Sequence, residues 1–245
     1  MRFKPLAAFL HIILIIAIMG LFALAARAQG TVQNPEPDME ESSGLEEVLP
    51  EDQLSSFKII GFGDSLMAGY LLPAGDAFPQ QLEDALLKNG FDVSVENAGV
   101  SGDTTTGGLE RLNWSVPDDA DLVILELGAN DALRGIAPEI TAQNLDQMLE
   151  RLQARKIPAV LAGMIAPPNM GADYAAQFNP IYQKLADKYQ VPLYPFFLEG
   201  VMTNQSLQLE DGMHPNAEGV AVMVANFSPF IQKTITELQN QGKAQ

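Results

Sequence analysis

The chain contains no cysteine among its 245 residues, a single tryptophan, two histidines and only 14 lysines and arginines. Zero cysteine excludes disulfides, thiolate metal sites, a cysteine nucleophile and a lipid-modified N-terminal cysteine. The 14 basic residues face 31 acidic ones, for a formal charge of -17. That balance excludes the basic surface a phosphate backbone requires, so no nucleic acid is expected as a partner. Scarce histidine narrows the chemistry further. His11 falls inside an N-terminal apolar run, so an imidazole working in the body of the protein must be His214. With 47% hydrophobic residues the composition is not that of a disordered chain.

What is present is sharply segregated. Arg2 and Lys4 precede an apolar run from Leu6 to Ala26, followed by the small-x-small tripeptide Ala26-Arg27-Ala28. This reads as an export signal ending after Ala28. A run of about 20 apolar residues also suits an uncleaved membrane anchor, so a membrane tether is the alternative. Under either reading the body is expected outside the cytoplasm, in the periplasm or beyond. Residues 29–56 carry eight acids, no base, and Pro35, Pro37 and Pro50, the composition of an acidic disordered linker. The expected organisation is a signal peptide or anchor over 1–28, a linker over 29–56 and one catalytic domain over 57–241.

From Phe57 onward strand and helix patterns alternate. Phe57–Phe62, Phe91–Ala98, Leu122–Leu127, Ala159–Met164 and Val191–Tyr194 read as strands, the second of them nearer an edge because Val93 and Val95 alternate with polar neighbours. A helix is expected over Ala77–Asn89, where Phe78, Leu82 and Leu86 form one stripe. Another carries Leu145, Met148, Leu149 and Leu152; a third is opened by Asn179-Pro180; a fourth follows Pro215 and is kinked or restarted at Pro229. This alternation predicts an α/β fold of three layers, α/β/α, around a five-stranded parallel sheet of flavodoxin-like type.

In such a sheet ligands bind beyond the carboxyl ends of the strands. Polar clusters follow four of the five strands there: Gly63-Asp64-Ser65-Leu66, Gly99-Val100-Ser101-Gly102-Asp103-Thr104, Gly128-Ala129-Asn130-Asp131 and, past a loop, Asp211-Gly212-Met213-His214. In their fuller form, FGDSLMAGY, NAGVSGDTTTGG, LGANDALRG and DGMHPN, these four blocks resemble the SGNH (GDSL) hydrolase family, and within it the bacterial arylesterases and multifunctional thioesterase/lysophospholipases. The likeness spans the whole body.

The resemblance implies that Ser65 is the nucleophile and His214 its base. Asp211, three residues earlier, would orient the ring in a compact version of the Ser-His-Asp arrangement. It assigns the oxyanion hole to the backbone N–H groups of Ser65 and Gly102 and the side-chain amide of Asn130. Tyr70, Leu71, Ile165, Pro167 and Phe196 lie in apolar stretches near the same edge and are candidates for substrate binding. The activity implied is hydrolysis of aryl and short- to medium-chain acyl esters, with thioesters and lysophospholipids as extensions. No cofactor, metal or obligate protein partner is required by that chemistry. A carbohydrate O-acetylesterase would use the same residues, and a non-catalytic anion-binding module on the same scaffold is the remaining alternative. Asp64, Asp103 and Asp131 could instead converge on Mg²⁺ for phosphoester hydrolysis. The simpler role for these carboxylates is to bond loop N–H groups and lock the blocks together.

Overall fold

The computed structural model describes residues 56–242. Five strands, β1 (Phe57–Gly63), β2 (Val93–Gly99), β3 (Leu122–Glu126), β4 (Ala159–Ala162) and β5 (Leu193–Tyr194), form a single sheet in the order β2-β1-β3-β4-β5. Every neighbouring pair is parallel. The chain moves outward from β1 to β2 and then crosses back over β1 to β3, so the strand order reverses between β1 and β3. A crevice therefore opens at the carboxyl ends of those two strands, as in flavodoxin-like sheets.

Crossover handedness fixes the layers. The connection from β1 to β2 carries α2 (Phe78–Lys88), and the return from β2 to β3 carries α3 (Thr105–Ser115). Right-handed crossovers running in opposite directions place these helices on opposite faces. The helix α5 (Pro138–Ala154) packs beside α3, and α7 (Ile181–Tyr189) beside α5. On the other face the long α8 (Ala217–Gly242) packs against α2. Phe78 of α2 meets Phe227 of α8 edge-on, ring centroids 5.5 Å apart. A sheet covered on both sides needs apolar residues on both faces of its strands. Accordingly Ile59, Ile60 and Phe62 in β1, and all five residues of β3, are buried.

Three shorter helices complete the order: α1 (Ser65–Ala68), α4 (Ala129–Leu133) and α6 (Ala172–Phe178). These and α3 are not evident from apolar periodicity. In α3 the pair Gly107-Gly108 argues against helix, at roughly 1 kcal/mol per glycine. The structure supplies the compensation. Thr104 caps the helix by accepting the Gly107 N–H, and a β-carbon at Gly108 would strike the Leu127 side chain. Glycine is what lets α3 press onto the sheet.

Other boundaries shift. The second strand starts at Val93 rather than Phe91, the fourth ends at Ala162, and the fifth contracts to Leu193–Tyr194. Asn179 does not cap the helix it precedes: it ends α6, and its side chain instead accepts the Ala166 N–H at 2.9 Å. Pro229 lies inside α8, which continues beyond it without a restart. The expected leader and linker lie outside the described residues. Among the described residues no helix is long and apolar enough to cross a membrane.

Candidate active site

Ser65 is the first residue of α1, at the point where β1 turns back. Asp64 caps this short helix by accepting the Leu66 N–H at 3.1 Å, and Ser65 itself is only 8% exposed. Its Oγ lies 2.9 Å from Nε2 of His214, across 149 residues of sequence. On the far side of the ring, Nδ1 lies 2.6 Å from Oδ2 of Asp211. An ionised carboxylate can only accept, so the ring proton sits on Nδ1 and Nε2 is free to accept the Ser65 hydroxyl. The other oxygen of Asp211 accepts the backbone N–H groups of Met213 and His214 at 2.9 and 3.0 Å. Partial burial works against the Asp211 charge, but these two donors and the imidazole outweigh it and hold the carboxyl at about 2. The loop itself is pinned by the Leu209 N–H on the His214 carbonyl at 2.8 Å.

The oxyanion candidates come from the neighbouring strand ends. Gly102 is the third residue of a turn closed by the Asp103 N–H on the Val100 carbonyl, and its φ of +81° is what a type II turn demands there. The Val100 N–H bonds the Gly63 carbonyl at 3.0 Å, laying this turn against the strand that delivers Ser65. Arg134 donates to the Gly102 carbonyl at 2.6 Å from the α4 side. Asn130, in the first turn of α4, donates one amide hydrogen to Oδ2 of Asp64 at 3.0 Å and keeps the other for a ligand. Gly128 makes this placement possible: its φ is +120°, and a β-carbon there would strike the Tyr182 hydroxyl.

Asp64 is fully buried. Desolvation raises its pKa to about 6, against the opposing pull of the Leu66 N–H and the Asn130 amide. An unfolded chain ionises this carboxyl at lower pH, so folding stability falls as pH rises to about 6 and the penalty persists above it. Keeping Asp64 ionised at neutral pH costs the fold on the order of 3 kcal/mol. Asp64 thus has two tasks, capping α1 through the Leu66 N–H and orienting the Asn130 amide.

The three carboxylates that could have converged on a cation are engaged separately. Asp131 accepts the Thr105 N–H at 2.8 Å and the hydroxyls of Thr105 and Thr141, while Asp103 is paired with Arg111 at 2.7 Å. Among the described residues no group of three or more His, Asp and Glu side chains is placed to hold a metal ion.

Beside Ser65 opens a cavity of about 420 Å³, lined by Leu66, Leu133, Met164, Leu198, Met202 and Met213 together with Ile165, Pro167 and Phe196. Asn130, Asn169 and Gln208 are its polar lining besides Ser65 and His214. Tyr70 is not on this wall but packs against the His214 ring, centroids 4.5 Å apart. Leu71 departs from expectation. A φ of +58° turns it outward, 75% exposed, and it lines no part of the cavity. A larger cleft of about 530 Å³ lies between α5, α6 and α7, where none of the strand-end blocks reaches it.

Arg111 has no counterpart in the sequence reading. From α3 its guanidinium bonds the carbonyls of Gly63 and Ala98, each at 2.8 Å, and the Asp103 carboxylate, and it covers the Phe62 ring at 4.1 Å. One buried cation thus ties the ends of β1 and β2 to the Gly102 turn. Its signal, an arginine two turns after a threonine cap, becomes visible only once α3 is known to be a helix. Arg111→Met is expected to cost about 3–5 kcal/mol, because it strands a buried Asp103 and two carbonyls. Thermal unfolding would register this as a drop in Tm; an unchanged Tm would mean that the network is dispensable.

Residues 62–222 match the GDSL-like lipase/acylhydrolase family. The chain is 44% identical to an arylesterase of Vibrio mimicus over 165 residues, covering 67% of this chain and 82% of that protein. It is 41% identical to thioesterase 1/protease 1/lysophospholipase L1 of Escherichia coli K12 over 157 residues, 64% of this chain and 74% of the other. Among solved structures it resembles AlinE4, described as an SGNH-hydrolase family esterase, at 49% identity and a TM-score of 0.62, covering 73% of this chain and 96% of AlinE4.

Proposed function

The chain belongs to the GDSL-like lipase/acylhydrolase (SGNH hydrolase) family and is an ester hydrolase, and from that premise we propose that it is an exported enzyme cleaving aryl and short- to medium-chain acyl esters through an acyl-Ser65 intermediate. The observation that carries the mechanism is the unbroken chain of contacts from Asp211 through His214 to Ser65, at 2.6 and 2.9 Å. Ser65 Oγ attacks the ester carbonyl while Nε2 of His214 takes its proton. Asp211 holds the ring in the tautomer this needs and favours the imidazolium that forms. The Ser65 and Gly102 N–H groups and the free amide hydrogen of Asn130 receive the developing oxyanion. His214 then returns its proton to the leaving oxygen, and water, deprotonated by the same ring, releases the acid and restores Ser65. Thioesters and lysophospholipids, named in the Escherichia coli relative, extend the substrate range. Export rests on the basic flank, apolar run and Ala26-Arg27-Ala28 site of residues 1–28.

The apolar wall supports acyl chains over glycans. A sugar acetate would leave Met164, Phe196 and Met202 unfilled and meet few groups able to bond its hydroxyls. A panel of p-nitrophenyl esters from acetate to palmitate tests this. Each methylene buried in the cavity is worth about 0.8 kcal/mol, so kcat/KM is expected to rise roughly threefold to fourfold per carbon until the cavity is full. A maximum at acetate, with acetylated polysaccharide turned over faster than the butyrate ester, would replace this reading by the O-acetylesterase.

A further inference from the structure

Glu126 ends β3 beside the turn that presents Ser65, and the triad gives it no task. It is 0% exposed. Its Oε2 accepts the Asp64 N–H at 3.2 Å. Oε1 is buried without any hydrogen-bond partner. Among the described residues no lysine, arginine or histidine pairs with it. The ionisable groups facing it are Asp64, from the Ser65 turn, and Tyr182, from α7, whose hydroxyl is already donated to the Leu127 carbonyl at 2.8 Å. The approach is close enough that a β-carbon at Gly63 would collide with Oε2, so this glycine is what admits Glu126 to the turn.

A carboxylate buried without a cation, next to a second buried carboxyl, cannot keep its charge. Burial, reinforced by the charge of Asp64, holds Glu126 well above the usual carboxylate range. An O–H without an acceptor is far cheaper to bury than a bare negative charge. We propose that Glu126 is a positioning residue that works as an uncharged carboxylic acid. Its carbonyl oxygen fixes the backbone that presents Ser65, and its proton leaves Asp64 as the single negative charge beneath the site. That single charge accepts the Asn130 amide and favours the imidazolium on His214. A second anion at Glu126 would drive a proton onto Asp64 and weaken both interactions. The inference rests on Ser65 being the nucleophile.

Two substitutions separate the roles. Glu126→Gln keeps the carbonyl acceptor without a charge, and its amide nitrogen can occupy the place of the oxygen that already lacks a partner. It is expected to retain kcat within about threefold, with KM and the pH profile unchanged. Glu126→Leu removes the acceptor and is expected to lower kcat by about 10- to 100-fold with KM nearly constant, because the nucleophile is displaced while the cavity is intact. Should the leucine variant fail to fold, infrared difference spectra of the parent against Glu126→Gln decide: a protonated carboxyl band at neutral pH that the substitution removes supports the proposal. It is overturned if glutamine is as damaging as leucine, if leucine keeps the parental kcat, or if the band is absent. The nucleophile assignment stands or falls separately, on the activity of Ser65→Ala.

Discussion

Ser65→Ala is expected to lower kcat for p-nitrophenyl butyrate by about 10⁴- to 10⁶-fold while leaving KM and the unfolding temperature nearly unchanged. The substitution deletes one oxygen. That oxygen is the atom 2.9 Å from His214 Nε2, and the sequence offers no cysteine to replace it. The cap on α1 belongs to Asp64 rather than to Ser65, so the helix keeps its geometry when the hydroxyl is lost. The cavity wall and the oxyanion donors also persist, which is why binding is expected to survive. Steady-state kinetics beside a thermal melt checks both halves. Parental turnover in a folded variant would remove Ser65 from the mechanism.

His214→Ala is expected to be nearly as severe, about 10⁴-fold or more in kcat, for a different reason: the nucleophile remains but has no proton acceptor. The deleted ring leaves a space between Tyr70 and Ser65. Added imidazole should enter it and restore part of the activity in proportion to its concentration. The pH dependence follows from the same contacts. A protonated ring cannot accept the Ser65 proton, so the parent loses activity on the acid side. Asp211, held at about 2, stays ionised through that descent and does not cause it. Its own contribution to stability is complete above the ordinary carboxylate range and is lost only as pH falls toward 2. Imidazole rescue that follows the pH profile of free imidazole would tie the acid limb to this position. A variant with parental activity, or an acid limb unchanged in His214→Ala, would move the base elsewhere.

The parts of the site legible in the sequence are those for which position after a strand suffices. Ser65, Gly102, Asn130 and His214 each follow an apolar run or its loop, and a parallel sheet brings such ends to one edge whatever the distance between them along the chain. Asp211 was legible because three residues separate it from the ring it touches. What could not be read depends on neighbours brought in by folding. LVILEL reads as a buried strand with a polar residue near its end, and nothing in that string says that Glu126 is wholly enclosed beside Asp64. Arg111 was hidden because two glycines disguise its helix, and their purpose, close packing on Leu127, is a tertiary fact. Leu71 misleads in the opposite sense: its apolar side chain suggests a wall, whereas a left-handed backbone points it to solvent.

The Ser65 hydroxyl after β1 is made nucleophilic by the His214 imidazole, which the chain places after its last strand. Intact-mass and peptide mapping after brief exposure to a fluorophosphonate tests this most directly, on the parent and on His214→Ala in parallel. One adduct per parent chain is expected, on the peptide holding Ser65, formed as activity disappears, and almost none on the variant in the same interval. Complete inactivation with the adduct on another residue, or equal labelling of Ser65 with and without His214, would contradict it.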